Sequence, residues 1–322
     1  MTAAQILAAF PKLRALVVGD ICLDRWCRYE PALADPSRET GIPRIGVVAT
    51  EVTPGGGGTI ANNLAALRTG AVAVLGLAGD DGFGYELERA LAARGISTGL
   101  LVRACSVPTF TYTKLINHQT GEEDLPRVDF VNVRPIPEEL ERELVDRLER
   151  VAGGYDVILV ADQAETAQGG VVTARMREAL ARIAETTLVW VDSRLRAELF
   201  RGVVVKPNQQ EAEAASLRAL GCVDYAGLRR HMAAPFLIIT RGGQGALVVD
   251  ERGSAPVPTR RVERPVDICG AGDSFSAGAA LALKVTGDPV AAVRFGNLVA
   301  SITIMKKGTG TASPEEVLAA ER

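Results

Sequence analysis

Histidine is nearly missing from this chain: His118 and His231 are its only two, far apart in 322 residues. Neither a Cys/His zinc cluster nor a Cys–His nucleophile pair can be assembled from so few. Cysteine is sparse as well. Cys22, Cys27, Cys105, Cys222 and Cys269 are odd in number, lack C-x-x-C spacing and are too dilute for a disulfide scaffold, so they read as reduced thiols of a cytoplasmic protein. An excess of either charge is also lacking. With 36 basic and 39 acidic residues the formal net charge is −3, and no basic stripe offers a nucleic-acid backbone its partner. No apolar run nears the roughly 18 residues that span a bilayer. The opening "MTAAQILAAFPK" has neither the basic region nor the A-x-A site of a signal peptide, and Thr2 with Gln5 reads as a capping box.

What is present is an ordinary globular mixture, 47% hydrophobic and 23% charged, without internal repeats or low-complexity linkers. Short β-branched runs at 15–19, 72–77, 157–161, 188–192, 203–206 and 236–240 alternate with helical patterns at 58–69, 82–94, 137–152, 171–186, 209–219, 273–284 and 288–305. This alternation predicts an α/β fold, a doubly wound parallel sheet with helices on both faces. Ser313-Pro314-Glu315-Glu316 marks a further helix start. Two segments, about 25–54 and 106–133, read instead as extended strands exposed on one face. They predict a small β-sheet lid inserted into one domain that spans residues 1–322.

Four stretches, glycine-rich or acidic, stand at the ends of strands or the starts of helices. "DICGAGDSFSAG" puts Gly270, Ala271, Gly272 and Asp273 at the mouth of an apolar helix. Bare backbone N–H groups there can converge on an anion beside a carboxylate that accepts a proton; a tight turn with a capping Asp fits the same residues. "KPNQQE" sets Asn208 and Glu211 one helical turn apart, fit to order a hydrated Mg²⁺ or to form a capping box. "TPGGGGTIANNLAAL" runs four glycines, Gly55 to Gly58, into a helix containing Asn63, which suits either close approach of a ligand or a hinge. "VVGDICLDRW" ends a strand with Asp20 and Asp24, either of which could accept hydrogen bonds from sugar hydroxyls or be a solvated loop acid. "TRGGQGALVV" reads as a hairpin, and no G-K-[ST] phosphate loop occurs anywhere.

In this order and spacing these stretches resemble the ribokinase (PfkB) family of carbohydrate kinases over nearly the whole chain. The family's D-T-x-G-A-G-D-x-F signature is matched from Asp267 to Phe275, its N-x-x-E from Asn208 to Glu211, and its early glycine-rich stretch from Gly55 to Leu67. The resemblance implies a ribokinase-like fold and transfer of the γ-phosphoryl group of ATP to a sugar hydroxyl. Asp273 would be the base, with the amides of Gly270, Ala271 and Gly272 as anion hole. Asn208 and Glu211 would organise Mg²⁺ through water, and Thr240, Gly242, Gly245 and Asn297 would line the ATP site. Asp24, Gly56, Gly57, Thr59 and Asn63 would face the sugar, and Asp267 would stand at a monovalent-cation site that takes K⁺. A homodimer through the lid is implied as well.

"VVGDICLDRW", "RVDF" and "KGTGTASPEE" look most like bacterial kinases that phosphorylate the anomeric hydroxyl of heptose 7-phosphate. Those kinases are often fused to a nucleotidyltransferase bearing H-x-G-H, a motif not found here. Three departures bear on the ligands. Thr59 stands where the family usually has Asn, Ile268-Cys269 replaces the commoner Thr pair, and the heptose kinases' D-Y-x-K-G becomes Asp162-Gln163-Ala164-Glu165-Thr166, without the ring and the cation. Another sugar, sugar phosphate or nucleoside as acceptor, or a silent sugar- or nucleotide-binding regulator on the same fold, are the competing readings.

Overall fold

The computed structural model describes residues 1–166 and 168–321. Its strands are β1 (Arg14–Gly19), β2 (Ile21–Tyr29), β3 (Val47–Gly56), β4 (Ala71–Gly79), β5 (Val102–Ala104), β6 (Thr111–Asn117) and β7 (Val128–Phe130). They continue with β8 (Val157–Asp162), β9 (Leu188–Ser193), β10 (Val204–Val205), β11 (Leu237–Thr240), β12 (Ala246–Asp250) and β13 (Gly253–Val257). The large sheet runs β13-β12-β11-β10-β9-β8-β1-β4-β5. It is parallel from β5 to β11 and antiparallel beyond, where the expected hairpin turns β11 back as β12 and a second turn adds β13.

Successive residues of a strand point to opposite faces, and both faces of this sheet are covered. Val17 and Leu159 pack on one side with helices Gly57–Ala66, Ala271–Thr286 and Pro289–Thr303. Leu16, Val18 and Val160 pack on the other with helices Glu138–Val151, Ala174–Ile183 and Gln209–Leu220. That is why the strand runs are continuously apolar. Helix Ala174–Ile183 begins three residues later than its composition suggested, because the Thr173 hydroxyl caps it by accepting from the Met176 N–H at 3.2 Å. Helix Tyr225–His231 escaped the sequence reading; its seven residues are too few to show a period.

The two extended segments build a four-stranded sheet in the order β3-β2-β6-β7. β2 pairs antiparallel with β3 and parallel with β6. The chain enters this sheet earlier than position 25: Asp20 alone separates β1 in the large sheet from β2 in the small one. Val47, Val48, Val128 and Phe130 of the small sheet are exposed.

Candidate active site

The strand order changes direction at β1, whose neighbours β4 and β8 lead to opposite edges of the sheet. Ligands of open α/β sheets bind outside the carboxyl ends of strands at such a point. Here Asp20, Asp162, Asp192 and Lys206 stand within one residue of the carboxyl ends of β1, β8, β9 and β10. Two cavities open beside them, one of about 570 Å³ over the large sheet and one of about 150 Å³ under the small sheet. Gln163, Arg194, Gly270 and Asp273 belong to the walls of both.

Helix Ala271–Thr286 starts at this shared wall. Gly270 has φ 74°, in the left-handed region, and a Cβ there would stand 3.1 Å from Thr59 Cγ2. The sharp turn lets the backbone of 270–273 face the cleft. One expected donor is committed elsewhere: the Ala271 N–H donates to the Ile268 carbonyl at 3.2 Å. That amide is therefore not free for an anion, whereas a helix gives the first-turn amides of Gly272 and Asp273 no acceptor. Asp273 keeps part of its surface open to the cleft. Burial, then the charge of Asp192, pushes its carboxyl up to about 8, against the pull of Lys206. A carboxyl raised this far in a cleft is a candidate proton acceptor with a physical rationale.

Lys206 and Asp192 form a buried pair, Nζ to Oδ2 2.7 Å, below that turn. Burial alone would lower the Lys206 ammonium, but Asp192 outweighs it and the net shift is upward. Asn208 and Glu211 line the larger cavity and close a reciprocal capping box: the Asn208 N–H donates to Glu211 Oε2 at 2.7 Å, and the Glu211 N–H to Asn208 Oδ1 at 2.9 Å. The capping-box reading of this motif holds, with both residues on the cavity wall. One Glu211 oxygen is spent on the cap, and burial followed by Asp192 raises the carboxyl. Thr240, Gly242, Gly245 and Asn297 lie on the same cavity wall.

The smaller cavity holds Asp24, Gly56 and Thr59, with Lys114 from β6 and Arg127 just before β7. Burial first raises Asp24 to about 6, while Lys114 and Arg127 pull it down. A Cβ on Gly55 would meet Asp24 Oδ1 at 2.2 Å, so the first of the four glycines makes room for this side chain. Three expected residues are elsewhere. Asn63 is fully buried and its amide donates to the Thr59 carbonyl at 3.0 Å, away from the cavity wall. Gly57 packs against Ile21, and a Cβ there would stand 2.7 Å from Cδ1. Asp20 is buried, and its carboxylate accepts from the amides of Gln163, Ala164 and Val171 at 2.8–2.9 Å, leaving Asp24 as the one of the two on the cavity wall. Asp267 accepts from the amides of Cys269 at 2.9 Å and Gly308 at 3.1 Å, tying two loops beside the helix mouth.

Arg194 and Gln163 were missed by sequence reasoning. Both follow the ends of adjacent parallel strands, and only the pairing of Asp162 with Ser193 brings them together. Lys206 had a visible signal, a cation closing an apolar strand.

The chain matches the model of the pfkB family carbohydrate kinases over residues 14–316. It is 31% identical over 329 residues to the bifunctional protein HldE of Pelobacter propionicus, covering 99% of this chain and 66% of that protein. A second HldE, from Methylococcus capsulatus, is 32% identical, with 97% and 65% covered. The chain thus spans about two thirds of the length of these curated relatives. In fold it is similar to a ribokinase from Thermotoga maritima, with TM-score 0.72, 21% identity and 96% and 99% of the two chains covered. It is also similar to phosphofructokinase-2 from Escherichia coli, in complex with potassium, at TM-score 0.71, 21% identity and 96% and 98% covered. With its signature residues gathered at one helix mouth between two cavities, this chain belongs to the pfkB family of carbohydrate kinases.

Proposed function

We propose that this kinase transfers the γ-phosphoryl group of ATP to the anomeric hydroxyl of a heptose 7-phosphate. The observation that carries the reading is the shared wall: Asp273 and Gly270 border both the larger cavity and the smaller one. ATP in the larger cavity and a sugar in the smaller would meet there. Asp24 would accept from sugar hydroxyls, Asp273 would take the proton of the reacting hydroxyl, and the first-turn amides would face the developing charge. The heptose is supported by "VVGDICLDRW", "RVDF" and "KGTGTASPEE", and by Lys114 and Arg127 as cations beside the sugar cavity.

Among the described residues no group of three acidic, Cys or His side chains could cage a metal ion. The remaining Glu211 oxygen and the Asn208 amide instead fit an ion carried on phosphates and met through water, the habit of Mg²⁺. When bound, Mg²⁺ would offset the phosphate charge. Asp267 would reach a K⁺ only with lone pairs left over from its two amide partners. The exposed apolar residues of the small sheet support its roles as lid and dimer contact. No described helix is long and apolar enough to cross a membrane.

Purified protein with Mg²⁺ATP and a panel of sugars and sugar phosphates tests the reading. Acceptor-dependent ADP release, with the new phosphorus resonance on the anomeric carbon, is expected for heptose 7-phosphate. Faster turnover of another sugar would reassign the substrate.

A further inference from the structure

Arg194 is, among the described residues, the one cation on the wall of both cavities. Lys206 is almost fully enclosed and committed to Asp192, while Lys114 and Arg127 border the smaller cavity alone. The Arg194 side chain keeps 44% of its surface open. Its place is set by the sheet: the Arg194 N–H donates to the Asp162 carbonyl at 3.0 Å, carrying the β8–β9 pairing one residue further. Its guanidinium is set by Glu165, which it binds as an ion pair.

Glu165 falls in the stretch where a cation of the heptose kinases is replaced. The acid on the β8 side is balanced by a guanidinium on the β9 side, so the cation at this sheet edge comes from the neighbouring strand and the pair carries no net charge. The loop bearing Glu165 is fixed in turn by the Asp20 carboxylate through the amides of Gln163, Ala164 and Val171.

Resting on the kinase reading above, we propose that Arg194 is a catalytic residue that touches the phosphoryl group in transit, and that Glu165 is the positioning residue that aims it. In the transfer, the bond from the γ-phosphorus to the β,γ-bridging oxygen breaks as a bond to the acceptor oxygen forms. The acceptor's proton passes to Asp273, and ADP leaves with the electron pair. A fixed guanidinium facing the equatorial oxygens at the junction stabilises their charge without reorganising. Substrate bound wholly in one cavity would engage it less than the group crossing between them.

The test compares wild type, Arg194→Met, Arg194→Lys and Glu165→Gln, using a phosphorylated acceptor and its unphosphorylated counterpart. Arg194→Met is expected to lower kcat by about 10² to 10³ for both acceptors, with ATP binding by calorimetry unchanged. Arg194→Lys should be intermediate, and Glu165→Gln should lower kcat with little change in KM. Because the Arg194 charge pulls the Asp273 carboxyl down, Arg194→Met should also move the acid limb of the pH profile upward. Wild-type turnover that Arg194→Met leaves intact overturns this inference alone, and so does a loss confined to KM of the phosphorylated acceptor, which would make Arg194 a substrate-phosphate ligand. No turnover by wild type with any acceptor overturns the kinase reading and this inference with it.

Discussion

The Lys206 ammonium lies 2.7 Å from Asp192 Oδ2, and a Cβ on Gly272 would stand 3.4 Å above it. Both side chains are almost wholly buried, so each is the condition for the other's charge. Lys206→Met is expected to destabilise the fold by about 3–5 kcal/mol, because it strands a buried carboxylate. The double variant Lys206→Met/Asp192→Asn should recover a good part of that loss. Denaturant unfolding of the three proteins measures this, and a double variant weaker than the single one would refute the pairing argument.

Asp273→Asn is expected to keep the fold and bind ATP while lowering kcat by about 10² to 10⁴, the range for loss of a general base. In the unaltered enzyme the base works only when deprotonated, and its carboxyl is raised to about 8. Hence kcat/KM should climb with pH through that region rather than level off near pH 5. A flat profile from pH 6 to pH 9 would remove Asp273 from the proton-accepting role.

Stability should run the other way. Burial raises Asp20 and Asp24 to about 6 and Asp273 to about 8, from an ordinary value of 3.8. Carboxyls raised on folding hold more protons in the native state, so their contribution is full below about pH 4 and is lost as pH climbs through 6 and then 8. Thermal melts without nucleotide should fall from pH 5 to pH 8.5, and Asp273→Asn should flatten the upper part of that decline. A melting temperature that rises over the window would contradict the burial of these three acids.

Gly55→Ala tests the sugar side. Its Cβ would be placed 2.2 Å from Asp24 Oδ1, too close to remain, so the carboxylate must turn away. Losing a hydrogen bond to a charged group costs about 1.5–3 kcal/mol, so the acceptor KM should rise roughly 10- to 100-fold with the ATP KM unchanged. An unaltered acceptor KM would release Asp24 from its assigned role.

The large sheet was legible because strands buried on both faces must be apolar throughout, as β1 and β8 are. The capping box of Asn208 and Glu211 was legible because its three-residue spacing is local to one helix turn. Asp20 and Asp24 were not separable in sequence: both follow β1, and burial under the loop after β8 decides between them. Asn63 looked available because it sits beside Thr59 in a glycine-rich stretch, yet the helix turns it inward. Arg194 was illegible for a different reason. Its place beside both cavities comes from a parallel pairing between residues about thirty positions apart, which no local pattern records.

The passage from β1 in the large sheet to β2 in the small one is one residue long, and that residue is held on every side. The Asp20 N–H donates to the Ala161 carbonyl at 2.9 Å, its carbonyl accepts from the Gly57 N–H at 2.9 Å, and its carboxylate grips the loop bearing Glu165. A joint so fully engaged cannot swing as a slack tether. The strand entering the small sheet, the start of helix Gly57–Ala66 and the loop after β8 are thereby knotted together at a single carboxylate-bearing residue.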